Sequence, residues 1–226
     1  QTQEEMNAHL ANGGTPNWRT NWGAGDVMYA NLDGKEGVNN GSNTLEDHGD
    51  LTIIGNNTPR YNFGLTLTGA WKGFDFSVFL QGVMKRDYWL DGPYFWGANG
   101  GLWQSTAFKE HMDYWRPEGD PLGANTNAYY PKPYFNTNKN QKVQSGYLQN
   151  AAYCRLKNAQ IGYTLPKIWT RKAAMESVRV YVSGDNLVTF SGISGVFDPE
   201  LLGSDWGDGK LYPLQRTISI GLNVNF

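Results

Sequence analysis

Arg216-Thr217-Ile218-Ser219-Ile220-Gly221-Leu222-Asn223-Val224-Asn225-Phe226 alternates without a break. Ile218, Ile220, Leu222, Val224 and Phe226 fall on one face, and Thr217, Ser219, Gly221, Asn223 and Asn225 on the other. A period of two marks a β-strand whose faces meet different surroundings.

The same alternation recurs upstream. Val178, Val180 and Val182 oppose Arg179, Tyr181, Ser183 and Asp185. Tyr61, Phe63, Leu65, Leu67 and Trp71 oppose Asn62, Gly64, Thr66 and Thr68. Lys72-Gly73 then reads as a two-residue hairpin turn, since Gly accepts positive φ. The return strand sets Phe74, Phe76, Val78 and Leu80 against Asp75, Ser77 and Gln81, with Phe79 out of pattern. A fifth strand covers roughly Tyr153 to Tyr163. Its lower half is regular (Ala159, Ile161, Tyr163), but Arg155 and Lys157 fall on the same face above it, which a bulge or an exit from the apolar zone would explain.

Lys72-Gly73 and the segment from Thr164 to Ser177 are short connections. Residues 1–60, 88–148 and 191–212 are long ones, rich in Gly, Asn, Pro, Trp and Tyr. Compact soluble domains rarely carry structureless loops longer than about 12–15 residues. Counting strand directions back from Phe226 puts all three long connections on one side and both short ones on the other. Trp71, Phe74, Tyr163 and Phe226 then share the short-turn edge on the apolar face. Short turns on one side, long loops on the other and an aromatic girdle describe a transmembrane barrel. A soluble sandwich with its apolar face turned inward has the same periodicity.

The chain has 226 residues, of which 10 Phe, 9 Trp and 13 Tyr make 14% aromatic, and 28 are Gly. A net charge of −2 excludes a strongly basic nucleic-acid binder. The aromatic content excludes a highly charged disordered chain. Mean hydropathy is −0.56. No run approaches the ~20 apolar residues of a membrane helix, but a barrel strand needs only alternate apolar positions. Cys154 stands alone, so there is no internal disulfide framework. The start QTQEEMNAHL has no signal-peptide pattern, which is expected if the gene product begins elsewhere.

Three blocks, YCRLKNAQIGYTLPKIW, VRVYVSGDNLVTFSGISGVFDPE and YPLQRTISIGLNVNF, resemble the C-terminal portion of SusC-like TonB-dependent transporters. GDVMYANLDGKEG and LTIIGNNTPRYNFGLTLTGAWKGFDFSVFLQGVMKRDYW resemble the part before it. Together they cover most of residues 24–226 in the family's order, with RLKNAQIGYTLP, VYVSGDNL and FDPE the most specific. The resemblance implies an all-β fold in which residues 1–226 supply about five C-terminal strands of a large 22-stranded antiparallel transmembrane β-barrel, with 1–60, 88–148 and 191–212 as extracellular loops. The plug domain is absent from this chain. It further implies an outer-membrane importer of glycans or peptides in a Gram-negative bacterium, with a SusD-like surface lipoprotein as lid and TonB acting through the missing plug. The remainder of the transporter chain, lipid and lipopolysaccharide are the other expected partners, and nucleic acid is not one. The alternatives are a soluble, aromatic-rich carbohydrate-binding β-domain, or a structural barrel without energy coupling.

No catalytic residues or cofactor are expected. His9, His48 and His111 stand in loop-like contexts, no hydrolase or nucleotide motif is present, and Glu110-His111 reads as a solvated pair. Cys154 reads as a buried or lipid-facing thiol. Asp26, Asn31, Asp33, Glu46, Asp47 and Asp50 supply oxygens for a calcium loop, but without the spacing or closing carboxylate of such a site. Trp89, Tyr94, Trp96, Trp103 and Trp206 are candidates for ligand or lid contact, since aromatic rings stack on sugars and pack well at interfaces. Tyr88, Phe95, Tyr114, Trp115, Tyr129, Tyr130 and Tyr134 belong to the same loop set, and packing among themselves is the other reading. Asp75, Gln81, Arg179, Tyr181 and Asp185 are expected on the lumen wall. Ser219, Gly221, Val224 and Phe226 fit a terminal-strand insertion signal.

Overall fold

A computed structural model describes residues 2–16, 18, 21–98, 105, 107–203 and 209–226. Among them, five long strands and one short one form a single antiparallel sheet: β1 Arg60–Trp71, β2 Phe74–Lys85, β3 Asp87–Tyr88, β4 Gln149–Thr164, β5 Ser177–Gly192 and β6 Thr217–Asn225. The order is β1-β2-β4-β5-β6, with β3 prolonging β2 against β4. Residues 56–89 and 148–226 make up this unit. The sheet is open, with β1 and β6 at its edges.

The hairpin turn closes on the pair Trp71↔Phe74. Lys72 and Gly73 take φ of 47° and 88°, both positive, as a type I′ turn demands. On the far side, Lys167–Thr170 and Arg171–Ala173 make two short helical turns between β4 and β5, and Ala174 (φ 58°) reverses the chain.

The irregularity in the fifth predicted strand is a bulge. Asn158 pairs Phe79 and Leu156 pairs Leu80, leaving Lys157 as the extra residue. Parity therefore inverts: Leu156 and Cys154 join the apolar face, and Arg155 moves to the polar one. The partner strand irregularity falls at Asn186 and Leu187, between Asp185 and Val188. Asn186 takes φ 51° there, a conformation Asn tolerates better than most residues. Phe79 faces the polar side, its ring 3.3 Å from where a Cβ on Gly64 would stand. A missing side chain on one strand thus accommodates the out-of-pattern ring on the next.

The apolar face is uncovered. Ile218 and Ile220 are 70% and 79% exposed, and Leu65, Leu67, Phe76, Ile161, Val180 and Val182 are also exposed. Trp71, Phe74 and Tyr163 lie in one cross-strand row, with the Phe74 and Tyr163 ring centroids 4.5 Å apart. Among the described residues no helix is long and apolar enough to cross a membrane.

Residues 1–55 and 90–147 form a second unit, with little regular structure. Helix α1, Gln3–His9, begins with a capping box in which the Thr2 hydroxyl accepts from the Glu5 N–H and the Glu5 carboxylate accepts from the Thr2 N–H. This Thr-x-x-Glu signal escapes a search for strand periodicity. The core of the unit is aromatic: Phe95 and Trp96 are buried, with Tyr130 and Tyr147 edge-on to both.

Candidate functional site

On the polar face near the short turns, Asp75, Gly162, Tyr181 and Gly221 occupy one row across β2, β4, β5 and β6. Arg179 crosses this row diagonally. Its Nε donates to Asp75 Oδ2 at 2.8 Å, its Nη2 donates to the other carboxylate oxygen, and its guanidinium carbon lies 4.9 Å from the Tyr181 ring centroid. The geometry requires two glycines. A Cβ on Gly162 would stand 2.4 Å from Arg179 Nη2, and one on Gly221 would stand 2.1 Å from Tyr181 Cζ. Real Cβ atoms do not approach that closely, so the guanidinium and the phenol ring pass over strands that carry no side chain there.

Farther from the short turns, Gln81 faces Arg155 across β2 and β4, and Asp185 accepts from Asn158 Nδ2 at 2.8 Å. Arg155 is enclosed: its Nη2 is 2.7 Å from Asp198 Oδ1, its Nη1 is 3.0 Å from Glu200 Oε1, and its Nε donates to Thr189 Oγ1 at 2.7 Å. Lys157 Nζ reaches Glu200 Oε2 at 3.0 Å. Of the blocks that stood out in the sequence, RLKN is therefore ion-paired to FDPE through Arg155 and Lys157 and hydrogen-bonded to SGDNL through Asn158. Burial by itself would raise the Asp198 carboxyl. Arg155 and the N–H groups of Glu200 and Leu214 outweigh it and hold this group below the usual range.

The aromatic unit has its own buried ion pair. Lys139 Nζ lies 2.6 Å from Asp26 Oδ2, with the two side chains 5% and 0% exposed. Asn140 Nδ2 donates to Asp26 Oδ1, and the Lys139 ammonium lies over the Tyr134 ring at 4.3 Å. This ties residues 21–29 to 132–144. A cavity of about 230 Å³ lies beside it, lined by Trp96, Tyr114, Tyr130, Tyr134, Lys132 and Gln141 among others.

No family model matches the chain. TonB-dependent receptor P3 of Formosa agariphila is 30% identical over 215 residues, covering 89% of this chain and 19% of that receptor. TonB-dependent receptor SusC of Bacteroides thetaiotaomicron is 26% identical over 193 residues, or 83% of this chain and 17% of that receptor. The chain is a homologue of SusC-like TonB-dependent receptors. It spans about a fifth of the length of the curated relatives it matches. The solved structure of the RagAB peptide transporter superposes with a TM-score of 0.58 at 27% identity, over 77% of this chain and 18% of the matched chain. A structure of the RagAB peptide importer in a "closed-closed" state gives 0.58 at 25%, over 81% and 19%.

Within this SusC-like segment, all five predicted lumen-wall residues lie on the polar face. Ser219 and Gly221 share that face, opposite Ser183 and Tyr181. Val224 pairs Val178 on the apolar face, and Phe226 is exposed at the strand end. Cys154 is half-buried on the apolar face, beside Gly82 and Phe190. Trp89 is half-buried. Tyr94 is half-buried and stacks on Phe108. Trp96 is buried, its Nε1 donating to the Leu90 carbonyl. Trp103 and Trp206 lie outside the described residues.

His111 accepts from the Phe108 N–H at Nδ1 and faces the Tyr94 carbonyl at Nε2, so both ring nitrogens hold the loop. The calcium candidates are likewise engaged. Asp50 accepts from the N–H groups of Leu32, Asp33 and Asn39, Asp47 from Ser42, and Asp26 from Lys139 and Asn140. Burial alone would raise the Asp50 carboxyl, but the three N–H donors hold it low. Among the described residues no three His, Cys, Asp or Glu side chains converge as a metal site. Sequence reasoning misses Arg155, Lys157, Asp198 and Glu200 as a unit, because Arg155 reads as an apolar-face position until the bulge is placed.

Proposed function

We propose that this chain forms the C-terminal strands of an outer-membrane barrel that imports glycans or peptides, working with a SusD-like lipoprotein and energised through TonB. The supporting observation is a sheet with one continuous exposed apolar face and one polar face, in a chain homologous to SusC-like receptors. Ten residues separate Phe74 from Met84 on β2, about 33 Å of strand. At a tilt of about 40° this is about 25 Å of height, the thickness of a barrel's apolar band. A water-soluble domain exposing such a face would be a predicted aggregator. The long connections carry aromatic residues, of which half-buried Trp89 and Tyr94 are suited to lid or cargo contact, whereas Trp96 is buried in the aromatic core. RagAB is named a peptide transporter, which supports keeping peptides beside glycans in this reading.

The test is deletion of the locus followed by growth on defined glycans and on defined peptides as sole nutrient. Loss of growth on one class, restored by the full-length gene, is the expected result. Unchanged growth on all of them, with the protein recovered from the soluble fraction and monodisperse without detergent, would favour the carbohydrate-binding module instead.

A further inference from the structure

The β5–β6 connection folds back onto the polar face. Ile193 and Phe197 are buried, and Asp198 and Glu200 meet Arg155 and Lys157 on β4 through three contacts of 2.7–3.0 Å. The Arg155 and Asp198 side chains are 4% and 6% exposed. Asp198 is locked from both sides, because the N–H groups of Glu200 and Leu214 also donate to it. Lifting the segment away would leave two cations side by side on β4 and strip Arg155 of both carboxylate partners. Breaking one side of a buried ion pair is strongly unfavourable, since the remaining charge has no compensation. At the far end of the segment, a Cβ added to Gly203 would stand 3.6 Å from the Tyr88 hydroxyl and 3.8 Å from Arg86 Nη2, which places this end of the segment toward β3.

We infer that residues 193–203 are a fixed part of the inner wall, facing the passage rather than the outer surface, and that Arg155 is the positioning residue that holds them there. Exposed Gly195 and half-buried Ser194 and Val196 are then the groups that this segment presents to passing cargo. The inference rests on the importer reading.

The test uses the full-length transporter in the outer membrane, its native cysteines replaced, with a single probe at Phe197→Cys or, as control, at exposed Tyr212→Cys. Cells are treated with a membrane-impermeant maleimide. With the cluster intact, Phe197→Cys should react at least about tenfold more slowly than Tyr212→Cys. Adding Arg155→Met should raise the Phe197→Cys rate about tenfold or more and leave the control unchanged. Asp198→Asn with Glu200→Gln should do the same without touching β4, so it decides the matter if Arg155→Met prevents assembly. Fast labelling in the parent, or an unchanged rate in an assembled Asp198→Asn/Glu200→Gln barrel, overturns the inference. Absence of heat-modifiable barrel from the outer membrane in the parent instead defeats the importer reading.

Discussion

Leu67 is the β1 member of the apolar-face row Leu67–Val78–Ala159–Gly184–Ile218. Four residues separate it from Phe63 and four from Trp71, so about 10 Å of height lies on either side at a tilt of about 40°. That puts it near the midplane of the band. Leu67→Arg should cost the full-length barrel about 2–4 kcal/mol, and Trp71→Arg at the band edge about 0–1 kcal/mol. Thr66→Arg, one residue away but on the polar face, should cost within about 0.5 kcal/mol of nothing. At about 1.4 kcal/mol per tenfold, the midplane substitution shifts the folding equilibrium about 30- to 1,000-fold. Denaturant unfolding of the protein in phospholipid vesicles measures all three. Thr66→Arg as costly as Leu67→Arg would refute the face assignment, and no difference between Leu67→Arg and Trp71→Arg would refute the membrane depth.

Gly221→Leu should block assembly by driving a side chain into the Tyr181 ring, and Tyr181→Ser in the same chain should restore it; outer-membrane yield reads both. Gly162→Val should destabilise the barrel by about 1–3 kcal/mol through overpacking, more than Asp75→Asn, whose pair with Arg179 is screened by solvent; denaturant midpoints compare them. In the aromatic unit, Lys139→Met should cost about 3–5 kcal/mol by leaving Asp26 buried and unpaired, and the Lys139→Met/Asp26→Leu pair should recover much of it; protease sensitivity of residues 21–29 and 132–144 reports the loss. Asp50 has its folded pKa depressed, so its contribution is complete above the unfolded value near about 3.9 and fades as pH falls through the lower folded one. Amide exchange at Leu32, Asp33 and Asn39 should therefore accelerate only below about pH 4, and acceleration already at pH 6 would contradict the hydrogen-bond assignment.

The strands were legible because side-chain period two is a local property of the backbone. Ile218 through Phe226 announces its two faces with no knowledge of neighbours, and Lys72-Gly73 announces its turn by the φ values it must adopt. That Asp75, Gln81, Arg179, Tyr181 and Asp185 share the polar face followed from the same parity. Arg155 was misplaced by one step, since a bulge is a relation between two strands, and Asn186 and Lys157 become intelligible only when β4 and β5 are paired. The capping box at Thr2 and Glu5 was readable locally but lay outside the strand pattern.

The sequence by itself thus determined the alternating faces, the hairpin, the aromatic edge and the blocks that mark a SusC-like segment. Tertiary structure alone decided what those blocks do for one another. RLKN and FDPE are separated by some 40 residues of chain, yet Arg155 and Lys157 meet Asp198 and Glu200, while Asn158 meets Asp185 of SGDNL. It also decided that residues 1–55 and 90–147, which read as separate long loops, fold together around Asp26, Lys139 and a core of aromatic rings. The physical reason is common to both. Ion pairs and ring contacts depend on distance in space, and long connections rich in Gly, Asn and Pro carry no periodicity from which that distance can be read.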